Sequence, residues 1–344
     1  MMFESISAPR RPNWILRIVC ALVLGAVGAV TVSAWRMTQM PLRSHKGTLA
    51  PLSAAQSELA GRLSEDVRYL STAIRERNLP HEGSLKATID YLHREIDHAG
   101  YTAIEQSYSV QGEAVSNLEA DLVGSASGDG AVIVGAHYDS VDGTVGANDN
   151  ATGVAATLEL ARSLQGSHLR RTIRFVFFVN EEPPYFQTGQ MGSVVYTRKL
   201  KHDGVPVSAM ISLETMGYYS EASGSQKYPP LLNLLYPSRG DFIGFVGNSK
   251  SRDLVRRATK IFRESAEFPS EGIAAPANWP GIGWSDQWAF WQEGWPGIMV
   301  TDTAPFRYPS YHTAFDTADK IDFQKMARVV DGLRNVVVSL ADER

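Results

Sequence analysis

Apolar and polar residues alternate along the chain in a way that predicts strands and helices in turn. Short runs rich in β-branched and aromatic residues predict strands at 104–110, 116–123, 131–134, 171–179, 207–213, 241–246 and 297–301. Apolar residues at helical spacing predict helices at 63–74, 85–96, 152–161 and 254–262, a short helix ending near 200, and a closing helix at 326–337. This alternation indicates a three-layer α/β/α domain, and we expect a central mixed, mostly parallel sheet.

One segment departs from this regular pattern. Residues 271–295 are rich in tryptophan, glycine and proline, which predicts irregular structure of the kind that lines binding sites.

The first part of the chain has the pattern of a membrane segment. Residues 18–34 are an uncharged apolar run that spans roughly 26 Å as a helix, near the lower limit for a bilayer core. Arg10, Arg11 and Arg17 precede it, as in a signal sequence or a signal anchor. We expect a retained anchor with the amino terminus in the cytoplasm, although the small residues 32–34 also allow cleavage and secretion.

These patterns predict three regions. Residues 1–36 form a cytoplasmic tip and a transmembrane signal anchor, residues 37–51 a linker, and residues 52–344 an extracytoplasmic catalytic domain. The single cysteine, Cys20, lies in the anchor, so the exported part has no disulfide. The net charge of -4 gives no basic surface for nucleic acid.

Residues with metal-ligand chemistry follow the predicted strands. His137 and Asp139 leave one strand, Glu181 and Glu182 follow the next, and Glu214 ends a third. Asp149 lies in a glycine-rich loop, and His312 lies in a later loop. Ligand sites of α/β sheets lie at the carboxyl ends of strands, and buried carboxylates need a compensating cation. A mixture of histidine and carboxylate favours zinc over calcium or magnesium.

Their positions suggest different roles for three of these carboxylates. We expect Glu182 to bind metal, and Glu181 to stay free as the base that takes a proton from water and passes it to the leaving nitrogen. Asp139 is expected behind His137, where it orients the ring. The simpler alternatives are a solvated acidic turn at 180–184 and an ordinary surface histidine at His312.

Six motifs together resemble the co-catalytic dizinc aminopeptidases, a family that also includes glutamate carboxypeptidases and, more distantly, glutaminyl cyclases. They are HYDS at 137–140, GANDNATG at 146–153, NEEPP at 180–184, SLETMGY at 212–218, SDQWAF at 285–290 and YHTAFDT at 311–317. The resemblance implies a phosphorylase/hydrolase-like zinc exopeptidase fold.

The resemblance also implies a set of roles for the candidate residues. Two zinc ions would be bridged by Asp149. His137 and Glu214 would complete one metal site, and Glu182 and His312 the other. Glu181 would be the general base and Asp139 the partner of His137.

Two positions depart from the common pattern of that family. Glu214 stands where many members have aspartate, and Gln287 stands where histidine is common. Candidates for substrate contact are Tyr218, Trp284, Asp286 and Tyr311.

Three functions remain open at this point. The favoured one is a membrane-tethered zinc aminopeptidase that acts on short peptides. The second is a glutaminyl cyclase that uses one zinc, which Glu214 mildly favours. The third is a non-catalytic ectodomain of the same fold. This third function is disfavoured because every ligand position and the position of the base hold suitable residues.

Overall fold

The computed structural model describes residues 13–230 and 232–343. Its helices are α1 Asn13–Thr38, α2 Ala54–Arg68, α3 Ser84–His98, α4 Thr152–Leu164, α5 Gly192–His202, α6 Arg252–Ser265, α7 Gln287–Gln292, α8 Ala304–Arg307 and α9 Phe323–Asp342. Its strands are β1 Ala103–Val110, β2 Glu113–Leu122, β3 Ala131–His137, β4 Ile173–Phe178, β5 Val207–Glu214, β6 Ile243–Asn248, β7 Ser270–Ala275 and β8 Gly297–Thr301.

The eight strands form one mixed sheet in the order β1-β2-β4-β3-β5-β8-β6-β7. β3 is parallel to β4 and β5, β5 is parallel to β8, and β6 is parallel to β7. The β1–β2, β2–β4 and β6–β8 pairs are antiparallel. The prediction of a mixed, mostly parallel sheet is therefore confirmed.

The sheet is covered on both faces because side chains alternate along each strand. On β3, Val132 and Val134 pack into the large core beneath α2, α3, α4, α6 and α9, whereas Ile133 packs into a second core with side chains of α5 and α7. β4 divides its side chains in the same way. The fold is the predicted three-layer α/β/α arrangement.

Helix α1 stands apart from these layers. Residues Leu16–Thr38 form a 23-residue apolar stretch with a mean hydropathy of 2.2, and none of it is buried in the protein. Its length and composition suit a membrane span or a signal sequence. The predicted linker at 37–51 contains no helix or strand beyond the last turn of α1. Hydrogen bonds tie its first half to α6 and β7, and the region boundaries themselves stay a prediction.

The segment expected to be irregular, 271–295, contains regular elements at both ends. It includes most of β7 and all of α7. The strand has the sequence SEGIAA, whose small residues give little β signal, and α7 has six residues, too few for a clear helical period. The tryptophan- and glycine-rich stretch between them is a loop, as expected.

Candidate metal centre and active site

The candidate ligands converge because three neighbouring strands end at the same edge of the sheet. His137 is the last residue of β3, and Glu214 is the last residue of β5. Glu181 and Glu182 follow β4, which pairs with β3 on its other side. All four side chains are buried.

The chain turns sharply after β4, and this turn lets two consecutive glutamates face one site. Asn180 has φ of 58°, a left-handed conformation that asparagine tolerates better than most residues. The Asp139 carboxylate accepts hydrogen bonds from the backbone N–H groups of Glu181 and Glu182, each at 3.1 Å. The turn is thus fixed from the neighbouring strand end.

Asp149 lies in a buried loop, 147–151, between β3 and α4. The Asp316 carboxylate accepts hydrogen bonds from the N–H groups of Asn148 at 2.8 Å and Asp149 at 3.0 Å. The Asn150 side chain donates to the carbonyl of Leu213 at 2.9 Å, which joins the loop to β5. Asp149 is therefore held by its backbone, and both of its carboxylate oxygens are left for the site.

Those two oxygens face different histidines. Asp149 Oδ1 lies 3.3 Å from His137 Nε2, and Asp149 Oδ2 lies 3.0 Å from His312 Nε2. Glu214 Oε2 lies 3.2 Å from His137 Nε2, and Glu182 Oε2 lies 3.3 Å from His312 Nε2. The five side chains therefore make two groups of three that share Asp149, and all ligand atoms within a group lie within 4.8 Å of one another.

Glu181 lies beside the first group. Its Oε2 is 3.8 Å from His137 Nε2. Asp139 lies behind the same ring, with its carboxylate 3.6 Å from Nδ1 and its backbone carbonyl oxygen 3.2 Å from Nδ1. Ser285 donates a 2.7 Å hydrogen bond to Glu214 Oε2, which fixes the orientation of that carboxylate.

Several carboxylates lie close together in the buried centre, and the pKa values of its side chains are shifted as a result. Burial, together with the nearby Asp149 carboxylate, raises the pKa of Glu182 to about 7. Burial, with the charges of Glu214 and Glu182, raises the pKa of Glu181 well above its ordinary value. Burial lowers the pKa of His312, but hydrogen bonds to Asp149 and Glu182 outweigh this and raise it to about 10.

The donor set fits divalent cations. Among the described residues, buried His137 Nε2, Asp149 Oδ1 and Glu182 Oε1 have no hydrogen-bond partner. Buried polar atoms without partners are unfavourable, and these three point into the shared centre. Imidazole with carboxylate is a zinc-type donor set, so the residues present fit the metal that the sequence predicts.

A buried arginine holds the segment that joins His137 to Asp149. Arg77 is fully buried, and its guanidinium donates hydrogen bonds to the carbonyls of Tyr138 at 2.7 Å, Val145 at 2.7 Å and Gly146 at 2.8 Å. It also donates to the carbonyls of Leu70 and Arg75. Burial lowers its pKa to about 10, so it stays charged at neutral pH beneath the acidic centre.

A cavity of about 100 Å³ opens beside the centre. Glu214 and Tyr311 line its inner end, and Trp284 lies on its wall. Most of its other walls are apolar or aromatic, including Tyr236, Phe245, Ile282, Met299 and Phe306. The Tyr311 ring stacks on His312 with 3.8 Å between ring centroids.

The other two candidates for substrate contact lie elsewhere. Asp286 is fully buried beneath the site at the start of α7, where burial raises its pKa to about 7. Tyr218 is half-buried, packs at a tilt against Tyr308 and does not line the cavity. The predicted substrate contacts of all four residues stay predictions.

Arg77, Asp316 and Ser285 support the centre but were not among the residues predicted from the sequence. Asp316 and Ser285 lie in two of the quoted motifs, so the motifs carried a signal for them. Arg77 lies between α2 and α3, outside every motif, and no local pattern marks it.

The sequence as a whole places this site in a known family. The model of peptidase family M28 matches residues 117–337. The uncharacterized protein YfbL of Escherichia coli is 39% identical over 280 residues, which are 79% of this chain and 85% of that protein. A probable leucine aminopeptidase of Trichophyton verrucosum is 27% identical over 61% of this chain, which spans 53% of that relative.

Solved structures share the fold. BSAP, a zinc aminopeptidase from Bacillus subtilis, matches with a TM-score of 0.66 at 14% identity over 82% of this chain and 97% of its own. A glutaminyl cyclase of Bacteroides thetaiotaomicron matches with a TM-score of 0.62 at 18% identity, over 83% and 98%. The fold and the family model define a peptidase of the three-layer α/β class. The chain belongs to peptidase family M28, which confirms the resemblance drawn from the motifs.

Proposed function

We propose that this protein is a zinc aminopeptidase that removes the amino-terminal residue from short peptides and uses two zinc ions. The observation that carries this proposal is the position of Asp149, whose two carboxylate oxygens face His137 and His312 separately. One carboxylate shared by two groups of ligands is what a two-metal centre needs.

In this proposal His137, Asp149 and Glu214 hold one zinc ion, and Asp149, Glu182 and His312 hold the other. Zinc ions bound there supply Lewis acidity, which polarises the scissile carbonyl and lowers the pKa of water. The buried position of the centre strengthens this electrostatic effect because water is largely excluded.

Glu181 is the general base in this proposal. Its carboxylate belongs to neither of the two groups that share Asp149, although it also lies within ligand distance of His137 and Glu182. It takes the proton from the attacking water and gives it to the leaving nitrogen when the peptide bond breaks. Asp139 keeps this carboxylate in place, because it binds the backbone N–H of Glu181.

The acidic centre and the cavity together favour a free amino terminus with an apolar side chain. A protonated or metal-bound amine is attracted to the carboxylates that surround the centre, whereas a blocked terminus gains nothing there. The cavity beside Glu214 and Tyr311 receives the first side chain, and its apolar walls favour leucine, methionine or phenylalanine over charged residues.

The role of Glu181 is tested by Glu181→Gln, which keeps the shape of the side chain and removes the base. We expect turnover to fall by at least about a hundredfold, the scale of general-base catalysis, with zinc content unchanged. Glu58→Gln, on the exposed face of α2, is the matched control and should leave both unchanged. Loss of zinc in Glu181→Gln would contradict a purely catalytic role.

The class of reaction is tested by metal analysis together with a panel of aminoacyl chromogenic substrates. Two zinc ions per chain and release of apolar amino-terminal residues support the proposal. One zinc with cyclisation of glutaminyl substrates would make the protein a glutaminyl cyclase. No metal and no turnover would leave a non-catalytic ectodomain.

The position of the enzyme in the cell is part of the proposal. Helix α1 serves as a retained signal anchor, with residues 1–36 as tip and anchor and residues 52–344 as an extracytoplasmic catalytic domain. Its apolar, unburied surface supports this placement. The mass of the mature chain distinguishes a retained anchor from a cleaved signal peptide.

A further inference from the structure

The chain that leaves α1 is attached to the catalytic domain by several hydrogen bonds. Arg252 Nε donates to the carbonyl of Arg36 at 2.7 Å, and Arg256 donates to the carbonyl of Gln39. Arg263 Nη1 donates to the carbonyls of Pro41 and Leu42 at 3.0 Å each. The domain therefore has a defined orientation relative to the end of α1.

Two loops lie beside this end of α1. Met37, in its last turn, packs on a core cluster that contains Ile282 and Met299, and Leu232 and Tyr236 pack on the same cluster. Residues 232–236 and residues 276–284, which we call the two exit loops, are thus neighbours of the helix end. Groups that pack around Met37 lie near the depth at which α1 leaves the bilayer.

The exit loops expose large apolar side chains. Leu234 is 76% exposed and Trp279 is 38% exposed, and Leu235 and Trp284 are exposed as well. Exposed apolar side chains grouped in one place mark an interaction surface, and tryptophan is enriched at membrane–water interfaces. Leu42, next to the helix end, is also exposed.

The proposed anchor indicates that the membrane is the partner of this surface. A helix of 23 mostly apolar residues spans about 34 Å, enough for a hydrocarbon core of roughly 30 Å, and its residues 16–33 are exposed in the described part of the protein. We propose that the two exit loops form a membrane-contact surface, with Leu234 and Trp279 inserted at the lipid headgroup level. This inference rests on the retained anchor and the peptidase activity proposed above.

The membrane contact also determines which peptides reach the proposed metal centre. Trp284 of the second exit loop lines the same cavity as Glu214 and Tyr311, so one apolar wall leads from the exit loops to the proposed metal centre. The cavity then opens at the bilayer surface. The enzyme accordingly acts on amino termini of peptides that lie on the membrane in preference to peptides free in solution.

The depth of the loops is measured on the full chain reconstituted in phosphatidylcholine vesicles. Cys20→Ser removes the only cysteine, and single cysteines then replace Leu234, Trp279 or, as a control, Val123 for nitroxide labelling. Val123 is 74% exposed and follows β2, toward the opposite edge of the sheet from β7. We expect the ratio of collision with oxygen to collision with a water-soluble nickel complex to be several-fold higher at 234 and 279 than at 123. Equal ratios at the three positions overturn the proposal, and so does a mature chain from which α1 has been removed.

Turnover gives a second, independent measurement. Leu234→Ser with Trp279→Ser should lower kcat/KM several-fold for a lipid-tethered peptide in vesicles and leave the same untethered peptide unaffected, whereas Val123→Ser changes neither. Equal effects on both substrates overturn the proposed preference. A chain that shows the expected label depths but hydrolyses no peptide refutes the proposed enzyme function and leaves the membrane contact standing.

Discussion

Arg77→Met tests whether a single buried cation holds the 138–146 segment, between the ligands His137 and Asp149, in place. The substitution keeps an unbranched apolar stem of similar volume and removes the guanidinium. The side chain makes five hydrogen bonds to carbonyls, three of them in the 138–146 segment between His137 and Asp149. After the substitution the carbonyls of Arg75, Tyr138 and Val145 lose their hydrogen-bond donor, whereas those of Leu70 and Gly146 keep the backbone N–H groups of Arg75 and Ala151.

The size of the effect follows from this count. Removal of one partner from a buried charged network costs about 3–5 kcal/mol, less than the sum of five separate hydrogen bonds because the carbonyls relax toward water or other donors. For a domain of this size each kcal/mol lowers Tm by roughly 2 °C, so we expect a decrease of roughly 6–10 °C. The Tm of Arg77→Lys should lie between those of the unmodified protein and Arg77→Met, because an ammonium has three donors and not five.

Two assays separate stability from site geometry. Differential scanning calorimetry with excess zinc gives the change in Tm, and competition with a chromogenic chelator gives zinc affinity. Because Arg77 binds the carbonyl next to His137 and the loop before Asp149, we expect zinc affinity to fall by about 10–100-fold, as for partners that orient ligands. Arg68→Met, at an exposed position of α2, is the control. An Arg77→Met protein with the Tm and zinc affinity of that control would falsify the reasoning.

Three further predictions concern the shared carboxylate of Asp149, the close packing around Gly153 and the removal of α1. Asp149→Asn should release both zinc ions on dialysis, because its carboxylate serves both groups, and metal analysis that still finds one ion would exclude a shared ligand. Gly153→Ala should lower stability by about 1–3 kcal/mol in urea unfolding, because its Cβ would lie 2.3 Å from the carbonyl oxygen of Leu213. Gly61→Ala, in open space on α2, should instead raise stability by about 0.5–1 kcal/mol, and a loss of stability in both variants would point to a general intolerance of substitution. Removal of residues 1–36 should give a soluble domain with unchanged turnover of free peptides, since the hydrogen bonds from residues 39–44 remain, and an insoluble product would mean that α1 belongs to the fold.

Strand positions were predictable because the strands that carry the site are buried on both faces. β3, β4 and β5 have mostly apolar, mostly buried sequences, and His137, Glu181, Glu182 and Glu214 stand at or just after their carboxyl ends. The geometry of parallel strands then brings these ends together without further information. The grouping of His137, Glu181, Glu182 and Glu214 could therefore be expected from local sequence and one general rule of topology, whereas the roles of Asp149 and His312, which lie in loops, came from the motif resemblance.

What could not be predicted depends on contacts between distant parts of the chain. Arg77 acts through carbonyl oxygens up to 69 residues away. Every residue has a backbone carbonyl, so the sequence does not identify which carbonyls accept these bonds. The left-handed backbone at Asn180 and His312 is imposed by surrounding packing on residues whose type permits other conformations. The attachment of residues 39–42 to α6 depends on arginines more than 200 positions later.

That attachment also determines when the sheet can be completed. β7 is one of the two edge strands of the sheet. Ser44 Oγ accepts a 2.8 Å hydrogen bond from the N–H of Ser270, and the Tyr236 hydroxyl donates to the carbonyl of Gly272. Ser44 and Ser270 are 226 residues apart, so Ser44 is synthesised long before the edge strand that it contacts. Contacts of such separation form slowly, and an open strand edge can pair with another chain in the meantime. Once formed, the contacts of Ser44 and Tyr236 occupy part of the β7 edge, and that part can no longer pair with another chain.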